Sequence, residues 1–396
     1  MKNALYIYLI IINILINIGV SSDINSQNIR GLWVVRDALT SPQKIDSLMT
    51  LARACGFTDL YVQIRGRGDA FYNSKYESKA ESIKDPNFDP LAYILKLNHT
   101  DSIRIHAWLN VFYVWSKDTL PRDQNHIVNQ NKSWLAQPKD HADLLKNYPN
   151  AVKDANIEGL YVSPLHPQAQ THFLDIVKDI LQNYQVDGIH LDYIRYPDQS
   201  FDFHPGVVKG FRNRYVLNPE QFLTNPEVFA QKFSLAGYEV FYYHWRRYLM
   251  DGLSDFVRRI SMTVKKYSPD LIVSAAVKPD IIIAHWNYYQ DWDRWLREGW
   301  LDYAVTMNYI NDPKIFRERL DQYLDKLPAD KYLVGIALYN QPVNDAIRKI
   351  AQVQAMGNAG FVLFSYQQLI FSKRMQKFLQ SQFLPVNQTE IPKGNN

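Results

Sequence analysis

Along the chain, short apolar runs rich in β-branched and aromatic residues alternate with stretches whose apolar positions recur every three to four residues. The runs at 29–36, 58–65, 103–111, 187–195, 271–278, 301–309, 332–339 and 360–366 read as strands. Between them, 43–54, 90–98, 168–184, 290–298, 312–327 and 345–356 carry a helical period. Strands alternating with helices make parallel βαβ units. Eight of them over roughly 350 residues fit an α/β fold of the (β/α)8, or TIM barrel, type with insertions. A doubly wound open sheet is the rival, but it usually carries a glycine-rich phosphate turn after its first strand. Here that turn reads Arg36-Asp37-Ala38-Leu39, without glycine, so the barrel is expected. Long connections at 66–88, 112–166 and 196 to about 236 follow strands 2, 3 and 4 and fall on the C-terminal rim, where barrels keep their sites.

Side chains alternate across a strand, so polar residues two apart share a face. Tyr61, Gln63 and Arg65 share one face of the second strand; His106, Trp108 and Asn110 share one face of the third. His190 and Asp192 do the same in the fourth, with Ile189 and Leu191 opposite. The apolar faces must meet the helix ring, which turns the polar faces into the barrel. Leaving such groups unpaired there would cost roughly 2–7 kcal/mol each, so they must bond one another, water or a ligand. This convergence predicts a polar small-molecule site.

Asp192 sits near the end of its strand, with Arg195 three residues on, and position at that end of a barrel strand reads as catalytic. Glycoside hydrolysis usually needs two carboxyl groups flanking the bond. Asp69, after two arginines, is the first choice of partner, with Asp280 and Asp37 as alternatives; no glutamate stands at a strand end. Arg36, Gln63, Arg65, His106, Trp108, Asn110, His190, Arg195 and Tyr309 are the expected substrate-binding residues. His106, His190, His204 and His244 lack zinc-ligand spacing, so neither a metal nor a cofactor is expected. Two other readings stand beside hydrolysis. One is a carbohydrate-binding barrel without chemistry; the other is a carbonyl enzyme using Lys278 as a Schiff-base amine.

Composition narrows the picture. Hydrophobic residues make up 46% of the 396, which excludes intrinsic disorder. The 44 Lys+Arg against 40 Asp+Glu form no basic block, so a nucleic-acid partner is not favoured. The 14% aromatic content, with 26 Tyr and 9 Trp, suits a protein that stacks rings on sugars. Cys55 is the single cysteine, which excludes an intramolecular disulfide, and its apolar helical neighbours predict burial. Lys2, an apolar run over 4–20 and the small residues Ser21 and Ser22 form a signal-peptide pattern, with an uncleaved anchor as the rival. The expected organisation is therefore a signal peptide over 1–22, a barrel over 28–385 and a polar tail over 386–396. The mature chain is expected in the periplasm or secreted, free of the membrane.

Several segments resemble the glycosyl-hydrolase-10-like glycosidases of bacteria. They are Arg30-Gly-Leu-Trp-Val-Val-Arg36, Val62-Gln-Ile-Arg-Gly-Arg-Gly-Asp-Ala-Phe-Tyr72, His106-Ala-Trp-Leu-Asn110 and 187–197. Ser274-Ala-Ala-Val277, Trp295-Leu-Arg-Glu-Gly299 and Gly360-Phe-Val-Leu-Phe-Ser365 agree. The resemblance implies a TIM-barrel glycosidase fold, export to the cell envelope and action on glycan. Some members act on peptidoglycan strands that have lost their stem peptides. It also implies that Asp192 is the family's strand-end aspartate, with Arg65, Asp69, His106, Trp108, Asn110 and Tyr309 in the cleft. Lys75-Tyr-Glu-Ser-Lys79 departs from the longer acidic or Trp-Ser stretch of many members, which bears on the outer subsites.

Overall fold

The computed structural model describes residues 29–99, 103–324 and 326–384. The expected signal peptide and the polar tail lie outside the described residues.

Eight strands close into an all-parallel barrel: β1 (Ile29–Val34), β2 (Asp59–Arg65), β3 (Arg104–Asn110), β6 (Gly188–Asp192), β7 (Ile272–Val277), β8 (Tyr303–Met307), β9 (Tyr332–Ala337) and β10 (Gly360–Phe364). Their order around the ring is β1-β10-β9-β8-β7-β6-β3-β2, each strand beside its sequence neighbour in the barrel. A small antiparallel hairpin, β4 (Tyr113–Trp115) and β5 (Leu160–Tyr161), stands apart in the connection after β3. The TIM barrel expected from the alternation is therefore the fold, with long connections after its second, third and fourth barrel strands.

The outer ring comprises α1 (Pro42–Ala54), α2 (Pro90–Asn98), α3 (Pro167–Asn183), α4 (Leu235–Tyr267), α5 (Trp292–Arg297), α6 (Pro313–Leu324), α7 (Val343–Ala355) and α8 (Lys373–Phe383). Its members start where the sequence allows: α1, α2, α3 and α6 open on proline, whose missing N–H costs nothing in a first turn. Asp89 caps α2 by accepting the Ala92 N–H at 2.9 Å. Outward strand residues such as Leu32, Val62 and Ile105 pack with Ile45, Leu48 and Met49 of α1 in one large core. Each such burial is worth about 1.5–3 kcal/mol. Cys55 is part of that core and burial pushes its thiol up to about 11. Among the described residues, no helix is long and apolar enough to cross a membrane.

The barrel interior is a separate cluster built from Ile29, Trp33, Tyr61, Trp108, Val305, Leu333 and Val362. Its polar members bond largely to one another, with His106 Nδ1 buried and left without a hydrogen-bond partner among the described residues. The His106 ring stacks on Tyr61 at 4.6 Å, and its Nε2 lies 2.7 Å from Asp59 Oδ1. Asp59 is in turn gripped by Arg104 at 2.8 and 2.9 Å. Gly188 is required beside this stack, because a Cβ there would stand 2.6 Å from His106 Nδ1. Higher up, Trp33 donates its indole N–H to His190 Nε2 at 3.1 Å, and His190 Nδ1 lies 2.9 Å from Ser274 Oγ. Burial holds His190 well below its ordinary pKa, so this ring is neutral.

Candidate active site

The C-terminal ends of the strands open into a cleft of about 770 Å3. Trp33 and Trp108 form its floor; Tyr309, Tyr339 and Phe364 wall one side. The opposite wall is a hydrogen-bonded chain. Arg36 Nη1 donates to Gln63 Oε1 at 2.9 Å, Gln63 Nε2 donates to Asn110 Oδ1 at 3.3 Å, and Trp108 Nε1 donates to the same oxygen at 3.1 Å. Asn110 Nδ2 closes the chain on the Gly66 carbonyl at 2.7 Å.

Asp192 ends β6 opposite Asn110 of β3 and points into this cleft. The strand stops there because Tyr193 adopts a left-handed φ of 50°. That turn brings the Tyr193 N–H onto Asp192 Oδ1 at 2.7 Å. Burial pushes the Asp192 carboxyl up to about 6, and the nearby Glu158 charge adds to the rise. The Tyr193 N–H and Arg195 oppose it without cancelling it.

Glu158 is a further acid of the cleft, beside Asp192 and Asp280. It precedes β5, and the hairpin swings it over the barrel mouth. Gly159 makes that crossing possible, since a Cβ there would meet the Trp115 carbonyl at 2.2 Å. Glu158 Oε2 accepts from Arg195 Nη2 at 2.6 Å and from the Tyr161 hydroxyl at 2.7 Å, while the side chain stays 52% exposed. Burial works against its ionisation, but Arg195 and Tyr161 outweigh it and hold the carboxyl below its ordinary range. Arg195 itself sits over the rings of Tyr193 and Tyr288, 4.9 Å from each. Two carboxyls thus share one mouth with opposite tendencies, one toward the acid form and one toward the anion. This division suits a proton donor beside an ionised partner.

Of the residues chosen from sequence, Arg36, Gln63, Trp108, Asn110, Asp192, Arg195 and Tyr309 line the cleft, as does the alternative Asp280. His106 and His190 point into the barrel but lie beneath the floor, engaged as above. Arg65 and Asp69 lie elsewhere. The pairing of β2 with β3 shifts between Gln63 and Arg65, setting Arg65 opposite the outward-facing Leu109. The bulge flips Arg65 out of the barrel, where it meets Glu77 and donates to the Asn110 and Val111 carbonyls. Asp69 folds back on its own loop and accepts the Arg67 N–H at 2.8 Å. Its neighbours there are Lys79, Trp115 and His126, in a pocket separate from the cleft. Asp37 stands exposed on a short turn of 3-10 helix, Arg36–Leu39. Glu158 escaped the sequence reading because it belongs to no barrel strand. The only local hint is an acidic residue and a glycine just before the apolar pair Leu160-Tyr161.

Lys278 also reaches the cleft, its ammonium 4.4 Å from the centre of the Tyr288 ring. Burial and the Arg195 charge pull it down to about 8. Away from the cleft, ligand-type atoms of His285, Asp291 and Asp293 lie within 4.8 Å of one another. These acids are already engaged: His285 approaches Asp293 at 2.7 Å and Asp291 at 3.3 Å, and Arg297 takes Asp293 at 2.8 Å.

A closed parallel barrel with two acids and an aromatic floor at its C-terminal mouth is the architecture of TIM-barrel glycosidases. The chain belongs to the glycosyl hydrolase-like 10 family, whose description matches residues 28–354. It is 24% identical to the glycosyl hydrolase YngK of Bacillus subtilis (strain 168) over 67% of this chain and 49% of that one. It is 22% identical to the glycosyl hydrolase DigH of Escherichia coli (strain K12) over 72% of this chain and 66% of that one. The chain therefore spans about half of the first relative and just under two thirds of the second. Among solved structures, the PgaB (BpsB) glycoside hydrolase domain from Bordetella bronchiseptica superposes with a TM-score of 0.65 at 14% identity, covering 89% of this chain and 98% of that one. The β-galactosidase of Rahnella sp. R3 gives 0.60 at 13% identity, covering 87% and 51%. At these identities the structural likeness speaks for the fold.

Proposed function

We propose that the chain hydrolyses O-glycosidic bonds of a polysaccharide, with Asp192 as the proton donor and Glu158 as its ionised partner. The observation that carries this reading is the opposite displacement of the two carboxyls around one cleft. Asp192, held protonated up to about pH 6, delivers its proton to the glycosidic oxygen as the bond to the sugar carbon breaks. The sugar carbon gains positive charge as that bond stretches. Glu158 faces it with an oxygen that neither Arg195 nor Tyr161 occupies, and either stabilises that charge or draws a proton from the attacking water. Tyr309 and Tyr339 offer ring surface to sugars above the Trp33–Trp108 floor, and the Arg36–Gln63–Asn110 chain offers hydrogen bonds to hydroxyls. Tyr193 and Tyr288 hold Arg195 in place, so Glu158 keeps its charge while the substrate displaces water.

The family relatives and the signal-like N-terminus support an exported enzyme acting on envelope glycan, peptidoglycan strands among the candidates. The test is to incubate the protein with purified peptidoglycan strands, with and without stem peptides, and with plant and algal polysaccharides. Products are read by mass spectrometry, beside Asp192→Asn and Glu158→Gln controls. Shortened glycans that both substitutions abolish are expected. If no glycan is cleaved, or if the Asn variant cleaves as fast as the parent, the proposal fails.

A further inference from the structure

Histidines join the three long connections that rise from the barrel mouth. His126, on the connection after β3, sets its Nε2 2.6 Å from the Arg67 carbonyl on the connection after β2. Its Nδ1 accepts the Val128 N–H at 3.2 Å and caps the short helix Ile127–Gln130. His204, on the connection after β6, repeats the arrangement. Its Nε2 lies 2.7 Å from the Ser133 carbonyl on the connection after β3, and its Nδ1 accepts the Gly206 N–H at 3.1 Å, capping the helix Pro205–Tyr215. Two rings thus tie three connections together.

The tied segment bears on Glu158. The Ser163 N–H donates to the Trp134 carbonyl at 2.7 Å, and the Ala136 N–H donates to the Tyr161 carbonyl at 2.8 Å. On its other side, the Phe203 N–H donates to the Gln137 carbonyl at 2.8 Å. Residues 134–137 therefore lie between β5, which Glu158 precedes, and the stretch that carries His204.

A backbone N–H can only donate and a carbonyl can only accept. Each of the two rings must hold a bare Nδ1 and a protonated Nε2, which is the neutral form. A second proton would go to Nδ1, set N–H against N–H and add positive charge at a helix N-terminus. His166 accepts the Ala169 N–H through Nδ1 at 3.4 Å as the cap of α3. Its ring lies 5.1 Å from that of His204, so a charge on either opposes a charge on the other.

We propose that His126 and His204 are positioning residues, which hold the connection bearing Glu158 only while they are neutral, so that acid loosens it and lowers activity. The proposal rests on the glycosidase reading of the cleft and adds an acid limit to its working range. Around His126, burial disfavours the charge, Glu77 and Asp69 favour it and Arg65 opposes it; burial prevails and holds the ring below its ordinary pKa. Asp123 also faces this ring, and Lys79, Glu81 and Lys117 share its pocket. The contacts of His126 are thus complete above the ordinary imidazole value of about 6.5 and are lost as pH falls below it. His204 faces Asp202, whose Oδ1 takes the His204 N–H at 2.9 Å, with His166 beside it and His172 beyond Trp134.

Amide hydrogen exchange of the full protein at about pH 8 and about pH 5, read by mass spectrometry as protection relative to intrinsic exchange, reports these joins without a substrate. Peptides over 126–137 and 200–209 are expected to lose protection about fivefold in acid, the effect of one lost N-cap, while those over the barrel strands keep theirs. His126→Asn and His204→Asn place a carboxamide oxygen where Nδ1 accepts, so each keeps a cap that does not titrate. In the double variant, protection over both peptides is expected to be the same at the two pH values. Protection that ignores pH in the parent, or an acid loss that persists in the double variant, would overturn the proposal. The second readout is the pH profile of kcat/KM on a glycan the parent cleaves. The double variant is expected to carry its acid limb about one pH unit lower, because only Glu158, held below the ordinary carboxylate range, then remains to be neutralised. An acid limb that does not move would count against the positioning role. If no glycan is cleaved, the glycosidase reading fails and the exchange experiment still decides the joins; cleavage with pH-blind protection does the reverse.

Discussion

Among the described residues, two arginine–glutamate pairs stand in opposite settings. Arg65 and Glu77 sit outside the barrel with side-chain exposures of 1% and 2%. Arg65 Nε donates to both Glu77 oxygens, at 3.0 and 2.8 Å, and its Nη2 donates at 2.6 Å. His172 of α3 approaches to 3.6 Å and completes the enclosure. Arg195 and Glu158 instead meet at the barrel mouth, where a single glutamate oxygen takes both its donors and the side chain stays half-open. The first pair ties the loop after β2 to the end of β3 and to α3. The second leaves a charged oxygen facing the cleft. Ion pairing alone does not separate structure from chemistry; what separates them is whether an oxygen remains free toward a cavity.

The largest contrast follows from removing each charge in turn. Glu158→Gln is expected to lower kcat by about 10²–10⁴ on any cleaved glycan, the scale of acid–base participation, with a smaller fall in thermal midpoint than at Glu77, because the half-open Gln side chain can still accept from the buried Arg195. Glu77→Gln is expected to do the opposite. It leaves the buried Arg65 without its counter-charge and costs about 3–5 kcal/mol, because breaking one side of a buried pair strands the other. Calorimetry would register a midpoint lower by several degrees, while kcat per folded molecule stays close to that of the parent. If Glu77→Gln lost activity without losing stability, the assignment of the two pairs would be reversed.

The next contrast is in pH. Burial disfavours the Glu77 charge, but Arg65 and His172 hold its carboxyl down at about 2, against an ordinary value of 4.5. Its stabilising contribution is therefore complete above pH 4.5 and is lost as pH falls toward 2. Asp192 runs the other way, raised from 3.8 to about 6. Between those values the folded chain keeps a proton that the unfolded chain releases, so the carboxyl costs stability as pH rises, roughly 1–3 kcal/mol by pH 7. Asp192→Asn is thus expected to abolish cleavage and to raise the thermal midpoint at pH 7. The parent's kcat is expected to fall as pH rises through about 6. A midpoint that dropped in the Asn variant would contradict the proton-holding role.

The strands show what the sequence makes legible. Expected runs such as 29–36 and 187–195 correspond to Ile29–Val34 and Gly188–Asp192, because period-two alternation against a helix ring is a local signal. Asp192, Asn110 and Trp108 follow from the same alternation. Two kinds of feature were hidden. The bulge after Gln63 reverses Arg65 with no mark in its own strand, since register is set by the neighbouring chain. Glu158 reaches the mouth only because a hairpin forms within a long connection, and nothing in strand periodicity reports the path of a loop. The polar faces of the interior were legible as strand alternation, but their partners were not: those of His190 include Trp33, 157 residues away. Such a pairing exists only after the barrel closes.

Asp69 gives the smallest expected effect and the sharpest check on how position should be read. It follows a strand end closely, as Asp192 ends one, and by sequence the two look alike. Its Oδ1 accepts the N–H of Arg67 two residues back, a local turn contact at a half-buried position. Asp69→Asn keeps an oxygen that can accept that bond, so kcat and KM are both expected to stay within about twofold of the parent, and the half-buried charge makes no ion pair among the described residues, so stability is expected to change by about 1 kcal/mol. Steady-state kinetics on a glycan cleaved by the parent, with a thermal scan alongside, measures both. A hundredfold fall in kcat with the midpoint unchanged would mean that the loop after β2 swings Asp69 over the cleft during turnover. Glu158 would then yield its place to the aspartate that the strand pattern alone selects.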